Sequence, residues 1–143
     1  MSVEFKDYSK IVVKKFHDNA VNWLEEASGK VEAQTARNTK VAKKDGGKTK
    51  ESWDHRVDEK KLEAEVGSRY KNALWEEFGT GINALHGDGR KDVPWVYKNP
   101  KDNKLYATVG KKPRRAMHYA YTSLKNKLIR SAQERFKKLW LMF

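Results

Sequence analysis

The stretch from Glu65 to Gly81, EVGSRYKNALWEEFGTG, constrains this chain more than any other, because two backbone periods meet there without a gap. Leu62, Ala64 and Val66 alternate with Glu63 and Glu65, the period-two pattern of a half-buried strand, and Gly67-Ser68 ends it. From Tyr70 the spacing changes. Tyr70, Ala73, Leu74 and Phe78, with Trp75 beside them, suit a short helix that packs one face inward until Gly79 and Gly81 break it. Glu76 and Glu77 are then expected on the exposed flank, paired with basic neighbours. The block holds no catalytic arrangement, so its meaning is architectural.

On either side the period is helical. Val13, Phe16, Ala20, Trp23, Ala27 and Val31 recur at three- and four-residue spacing and predict a helix from near Tyr8 to near Ala36. Asp7 and Ser9 are its candidate caps, and Gly29 marks a place for a bend or an early end. A last helix is expected just after Pro113, with Met117, Tyr121, Leu124, Leu128, Ala132, Phe136 and Leu139 as its buried stripe. Its other flank carries Lys125, Lys127, Arg130, Lys137 and Lys138. Beyond it run Leu139, Trp140, Leu141, Met142 and Phe143, more apolar surface than one helical turn can bury in its own core, so some of it is expected to meet a neighbour.

Between the helices, residues 37–50 read as a mobile basic loop. Thr49 to Val57 alternates with Trp53, His55 and Val57 on one side, and Asp58-Glu59-Lys60-Lys61 turns it into the strand at Leu62, a β-hairpin. Residues 82–92 read as a Gly-rich loop. Trp95-Val96-Tyr97 and Leu105 to Val109, joined by Asn99-Pro100-Lys101-Asp102-Asn103, predict a second hairpin. The fold class is α+β: two long terminal helices packed on a small antiparallel sheet built from two hairpins, with a short helix between them. A chain of 143 residues with sixteen aromatic side chains is of single-domain size and is expected to form one compact domain over 1–143.

The net charge of +12 is concentrated. Residues 37–50 carry six basic side chains and one acidic, residues 111–138 carry ten and one, and the rest of the chain sums to −2. Nucleic acid is the natural partner for charge gathered this way, because each neutralised phosphate releases condensed counterions; the plainer alternative is a pair of solvated faces.

Chemistry finds little support. Gly79-Thr80-Gly81 and Gly87-Asp88-Gly89 are too short for a phosphate loop and follow no strand-to-helix turn. His17, His55, His86 and His118 stand in no metal-ligand spacing, and His86 with Asp88 lies in a Gly-rich loop that cannot hold an acid–base pair rigidly. Adjacent Glu76 and Glu77 point about 100° apart on a helix and do not share a substrate easily. With no cysteine there is no disulfide or thiolate site, and no apolar run approaches the length of a membrane span. No enzyme, cofactor, metal site or membrane contact is expected, and a chain without a signal peptide is expected to be made and kept in a cytoplasm, or packed into a particle from there.

Three blocks resemble a family of tailed-bacteriophage proteins, the minor tail or head–tail connector components typified by the gene-ten product of a lambdoid phage. Val66-Gly67 with Trp75 to Gly81 is similar to the family's strand-Gly, aromatic and Glu-Phe-Gly-Thr-Gly block. Gly47 to Trp53 loosely resembles its turn into a Ser-containing strand, and Lys112 to Met117 partly resembles its Pro-Ala-Arg-Pro entry into the last helix. The second proline of that entry is missing, and Lys44-Asp45-Gly46 replaces the proline and aspartate usual before the first turn. The resemblance implies a structural virion protein, made in the bacterial cytoplasm, that forms a homo-oligomeric ring in the neck or tail-completion region and joins head to tail beside other neck or tail proteins. Subunit contacts are then expected at Trp75, Glu76, Glu77, Phe78, Gly79, Thr80 and Gly81 and at Trp140, Leu141 and Phe143. Lys40, Lys43, Lys44, Lys48 and Lys50 would face the channel through which DNA passes, contacted without sequence reading. The alternative is a small basic DNA-binding protein that uses its last helix as the contact surface.

Overall fold

The computed structural model describes residues 2–41 and 47–143. Helix α1 (Ser9–Asn38) runs unbroken through Gly29, where a bend was expected. The N-cap position is Tyr8, which makes no side-chain cap; Asp7, one residue earlier, accepts the Ser9 N–H at 2.9 Å, and that backbone N–H, followed by the Ser9 hydroxyl, holds the Asp7 carboxyl below its ordinary range. The expected stripe is buried at Ala27 and Val31, half-buried at Phe16, Ala20 and Trp23, and fails at Val13, which is exposed. Phe16 already lies level with the far end of the last helix, so one turn earlier there is nothing for Val13 to pack on. Two buried threonines complete the face, and their hydroxyls donate back to the carbonyls of Val31 (2.7 Å, from Thr35) and Thr35 (2.8 Å, from Thr39).

The expected basic loop is anchored at both ends. Arg37 and Asn38 belong to α1, and buried Thr39 accepts the Trp53 indole N–H at 2.9 Å. Lys48–Glu51 form a single helical turn, α2, closed by the Glu51 N–H on the Gly47 carbonyl at 2.8 Å. Its buried Thr49 accepts the Asn72 amide at 2.7 Å. The strand expected from Thr49 therefore starts only at Trp53. Lys43 and Lys44 lie outside the described residues.

Strands β1 (Trp53–Asp58) and β2 (Glu63–Ser68) pair antiparallel, with Trp53 opposite Ser68 and Asp58 opposite Glu63. Trp53, His55 and Val57 face inward as their alternation predicts. In the turn Asp58 Oδ1 accepts the N–H groups of Lys60 and Lys61, both at 3.0 Å, and Leu62 takes a left-handed φ of 53°, which places it in the turn and not in the strand. The strand closes at Gly67-Ser68, as expected.

Helix α3 (Lys71–Phe78) follows, then a 3-10 turn at Gly81–Asn83, then β3 (Trp95–Lys98) and β4 (Leu105–Thr108), paired antiparallel with Trp95 opposite Thr108. The two hairpins form two separate two-stranded sheets, not one. The β1–β2 sheet lies on α1, while α3 bridges β2 to the last helix, α4 (Ala116–Trp140). Helices α1 and α4 run antiparallel. Asn38 donates to the Ala116 carbonyl at 3.1 Å at one end, Arg135 reaches Glu26 at 2.6 Å further along, and the Phe16 and Phe136 rings stack 6.1 Å apart at the other end. Ala116, Ala120 and Leu139 are the buried residues of α4, so small side chains set the spacing of this helix pair where α4 begins. Tyr121, expected in the stripe, is exposed, because one position past Ala120 a helix has turned about 100° from the contact face. Lys125, Lys127, Arg130, Lys137 and Lys138 are all exposed, as the charge pattern predicts.

Candidate subunit interface

Helix α4 lacks a start signal of its own. Arg115, at its N-cap, is left-handed with a φ of 54° and makes no side-chain cap, and no acidic residue stands in the first turn. Glu77 supplies the missing group from α3. Its carboxylate, 5% exposed, accepts the N–H groups of Met117 and His118, each at 2.9 Å, two donors with no partner inside the helix. Its negative charge also sits at the positive end of the α4 dipole. Glu77 is therefore not on an exposed flank. The signal for this in the sequence was negative: Lys112 to Ala116 offers no capping side chain, so another segment had to provide one. Glu76 makes the expected ion pair, with Lys111, and lies 3.5 Å from the Arg114 guanidinium, but its side chain is also largely covered and not on an exposed flank; its carbonyl accepts the Arg114 N–H at 2.7 Å.

The Gly-Thr-Gly segment fastens this corner to the second hairpin. Thr80 donates its N–H to the Lys111 carbonyl and accepts the Lys111 N–H on its hydroxyl, both at 2.9 Å, and Ile82 donates to the Val109 carbonyl at 3.2 Å. The two backbones come so close that a Cβ on Gly81 would fall on the Val109 carbonyl oxygen, and one on Gly110 would fall on that of Thr80. Gly79 and Gly81 also need left-handed φ values, 74° and 59°. The chain stop read from the sequence is thus a backbone junction between α3 and the extension of β4.

Outside this junction the aromatic side chains remain open. Trp75, Phe78, Trp95 and Tyr97, with Leu74 and Arg90, line a groove of about 940 Å³. The Phe78 ring lies 5.4 Å from His86, and the Arg90 guanidinium 5.3 Å from Trp95. Of the residues expected to meet a neighbour here, Trp75 and Phe78 present side chains at the surface, whereas Glu77 and Gly81 are buried in the subunit itself.

The other expected contact lies at the opposite end of the helix pair. Around Phe16 gather Phe136 and the rings of Trp140 and Phe143, each 6.3 Å from it, with Lys15 5.4 Å from the Phe143 ring. Leu139 is buried and belongs to the core, whereas Trp140, Leu141, Met142 and Phe143 are exposed, as are Ile11 and Val13 beside them. Lys40, Lys48 and Lys50 are exposed near the α1–α4 end that carries α3.

One grouping escaped the sequence because it is assembled by the fold. His55 on β1 lies between two carboxylates of α1: Nδ1 meets Glu32, and Nε2 is 3.0 Å from Glu25. Gly29, on the same side of α1, leaves the room; a Cβ there would sit 3.8 Å from the imidazole. The hydrogen bond to Glu32 is the chief reason that the His55 pKa is raised, with Glu25 adding to it against the effect of burial. Glu32, Asp54 and His55 each place a ligand atom within 4.8 Å of the others, spacing that could hold a metal ion. Both ring nitrogens already have carboxylate partners, so the arrangement serves the fold as a charged clamp of β1 on α1.

No protein-family model matches the chain, and neither does any curated protein or solved structure. Among the described residues no helix is long and apolar enough to cross a membrane.

Proposed function

We infer that the protein is a structural component of a tailed-phage or prophage-derived particle, assembling as a homo-oligomeric ring in the neck or tail-completion region where head joins tail. The observation that carries this reading is the placement of its exposed apolar surfaces. One gathers at the Phe16, Trp140 and Phe143 end of the helix pair, the other at the Trp75, Phe78 and Trp95 groove near the start of α4. Two unlike apolar surfaces at opposite ends of one subunit favour a heterologous contact, in which each copy meets a different face of the next, and such contacts close into rings when the rotation allows. The Trp75 to Gly81 block, where the resemblance to connector proteins is strongest, forms one of these ends. Lys40, Lys48 and Lys50 would then lie toward passing DNA, held by charge alone.

The deciding experiment removes the gene from its parent replicon and images the particles by electron microscopy. Heads and tails accumulating unjoined, or tails ending abnormally, support the reading; intact infectious particles overturn it. The exposed row Lys125, Lys127, Arg130, Lys137 and Lys138 favours the second reading, a non-enzymatic DNA-binding protein. That reading requires duplex affinity that falls steeply with salt in the free chain.

A further inference from the structure

The segment ahead of α1 has no regular secondary structure and carries two apolar side chains that nothing covers: Val3 is 92% and Phe5 87% exposed. Drawn out along a sheet edge, residues two apart fall on the same side, so Val3 and Phe5 would present a two-pronged apolar edge. Glu4 and Lys6 lie 4.0 Å apart, and Asp7 accepts the Ser9 N–H. The chain also contains an unfilled counterpart. The groove between α3 and β3 is walled by Trp75, Phe78, Trp95 and Tyr97, and β3 pairs on one side only, with β4.

We propose that residues 2–7 of one copy dock in the α3–β3 groove of the next, Val3 and Phe5 entering between the aromatic walls and the arm running along β3. Geometry requires the exchange to be between copies. Six extended residues reach about 20 Å, whereas α1 is about 45 Å long at 1.5 Å per residue over its thirty residues. The groove lies past the far end of α1, where Asn38 meets Ala116 and Glu77 meets Met117, so an arm rooted at Tyr8 cannot reach its own groove. Charge agrees. The groove lining itself carries Arg90 and Lys111 against Asp88, while the arm has Glu4 and Asp7 against Lys6. The C-terminal turn is a poorer occupant, because the Phe143 ring lies against Phe16 and Lys15 of its own copy. Strand addition to an open sheet edge, with alternate side chains in pockets, is a general way for extended segments to bind. This inference deepens the ring reading and rests on it.

The test places a photo-cross-linking benzoylphenylalanine at position 5 of the full chain. Differently isotope-labelled copies are mixed, irradiated and mapped by mass spectrometry, with assembly state read in parallel by light scattering. Cross-links joining differently labelled copies, from position 5 to residues 72–97, are the expected result. An oligomer whose cross-links fall elsewhere, or within one copy, overturns the arm while leaving the ring standing. A chain that stays monomeric at its highest soluble concentration, without inter-copy links, overturns both. Phe5→Asp provides an independent readout: with the helical signal unchanged, self-association weakens about 10- to 100-fold, as loss of one buried aromatic contact requires. Unchanged assembly of that variant overturns the proposal.

Discussion

Replacing Glu77 by Ala removes the acceptor of two backbone N–H groups, those of Met117 and His118, at a position where the carboxylate is almost fully buried. Hydrogen bonds to a charged group contribute about 1.5–3 kcal/mol each, and a buried donor left unmet costs about 1–3 kcal/mol. Met117 and His118 are half-buried, so water recovers part of the loss once the carboxylate is gone. The expected destabilisation is therefore about 2–4 kcal/mol, above the ~1 kcal/mol typical of an N-cap because two donors are served and the charge faces the helix dipole. For a domain of this length that lowers Tm by roughly 10 °C. Glu77→Gln keeps one carbonyl acceptor and loses the charge, so it should fall between. Urea denaturation with an unchanged m-value, together with faster amide exchange at Met117 and His118, is the assay. Glu65, exposed and paired with Arg56 across the first hairpin, is the control, since such pairs contribute about 0–1 kcal/mol. If Glu77→Ala costs no more than Glu65→Ala, the cross-element cap does not hold α4 in place and the reasoning fails.

Gly29→Ala should stabilise by about 0.5–1 kcal/mol, because the position is mid-helix and the added Cβ finds only ordinary contact with His55; a loss in chemical denaturation would mean the imidazole cannot accommodate it. Gly81→Ala should cost at least about 2 kcal/mol, since its φ of 59° disfavours a side chain and the Val109 carbonyl occupies the space; near-wild-type stability would refute the backbone junction. His55 faces Glu25 and Glu32 on α1 and Asp54 on its own strand, and its pKa is raised by folding. Its contribution is thus fully present below the unfolded value of about 6.5 and is lost as pH rises through the folded value. The stability difference between wild type and His55→Gln, followed by urea denaturation from mildly acid to mildly alkaline pH, should shrink over that window, and a difference that grows with pH would reverse the assignment.

The elements were largely legible in the sequence, and the failures share a cause. Both long helices, the first hairpin and α3 follow from apolar spacing, because each covers one face; the second hairpin follows from its alternation and turn residues, although its strands stay largely exposed. What spacing could not supply is what one element does for another. Glu77 looks like a solvent-facing neighbour of Glu76 until α4, which has no cap, is placed against it. Val13 and Tyr121 continue their stripes in sequence but not in space, since the partner helix ends or the face has turned away. His55 stands thirty residues from Glu25, so no local pattern joins them. The Gly-Thr-Gly stop was read correctly as a break, but its function, a close approach to Val109 and Gly110, depends on a hairpin that comes later in the chain.

The same limits bear on why this subunit exposes so much apolar surface. Only seven hydrophobic residues are buried among those described, four of them alanines, while Phe16, Trp23, Leu124, Leu128 and Phe136 are only half-covered. Two long helices side by side, one small sheet on α1 and a second hairpin held mainly through the α3 corner make an elongated subunit in which few side chains are surrounded on all sides. Alanines at the α1–α4 contact bring the helices close but bury little area each, and large apolar side chains stay open at both ends of the pair. There they form the Phe16–Trp140–Phe143 cluster and the Trp75–Trp95 groove. On the ring reading, the apolar surface at the two ends would supply the contact between copies, and the charge on α4 from Lys125 to Lys138 would stay free for a polyanion. A DNA-binding monomer explains the second of these features but not the first, and that difference is why the ring reading ranks ahead of it.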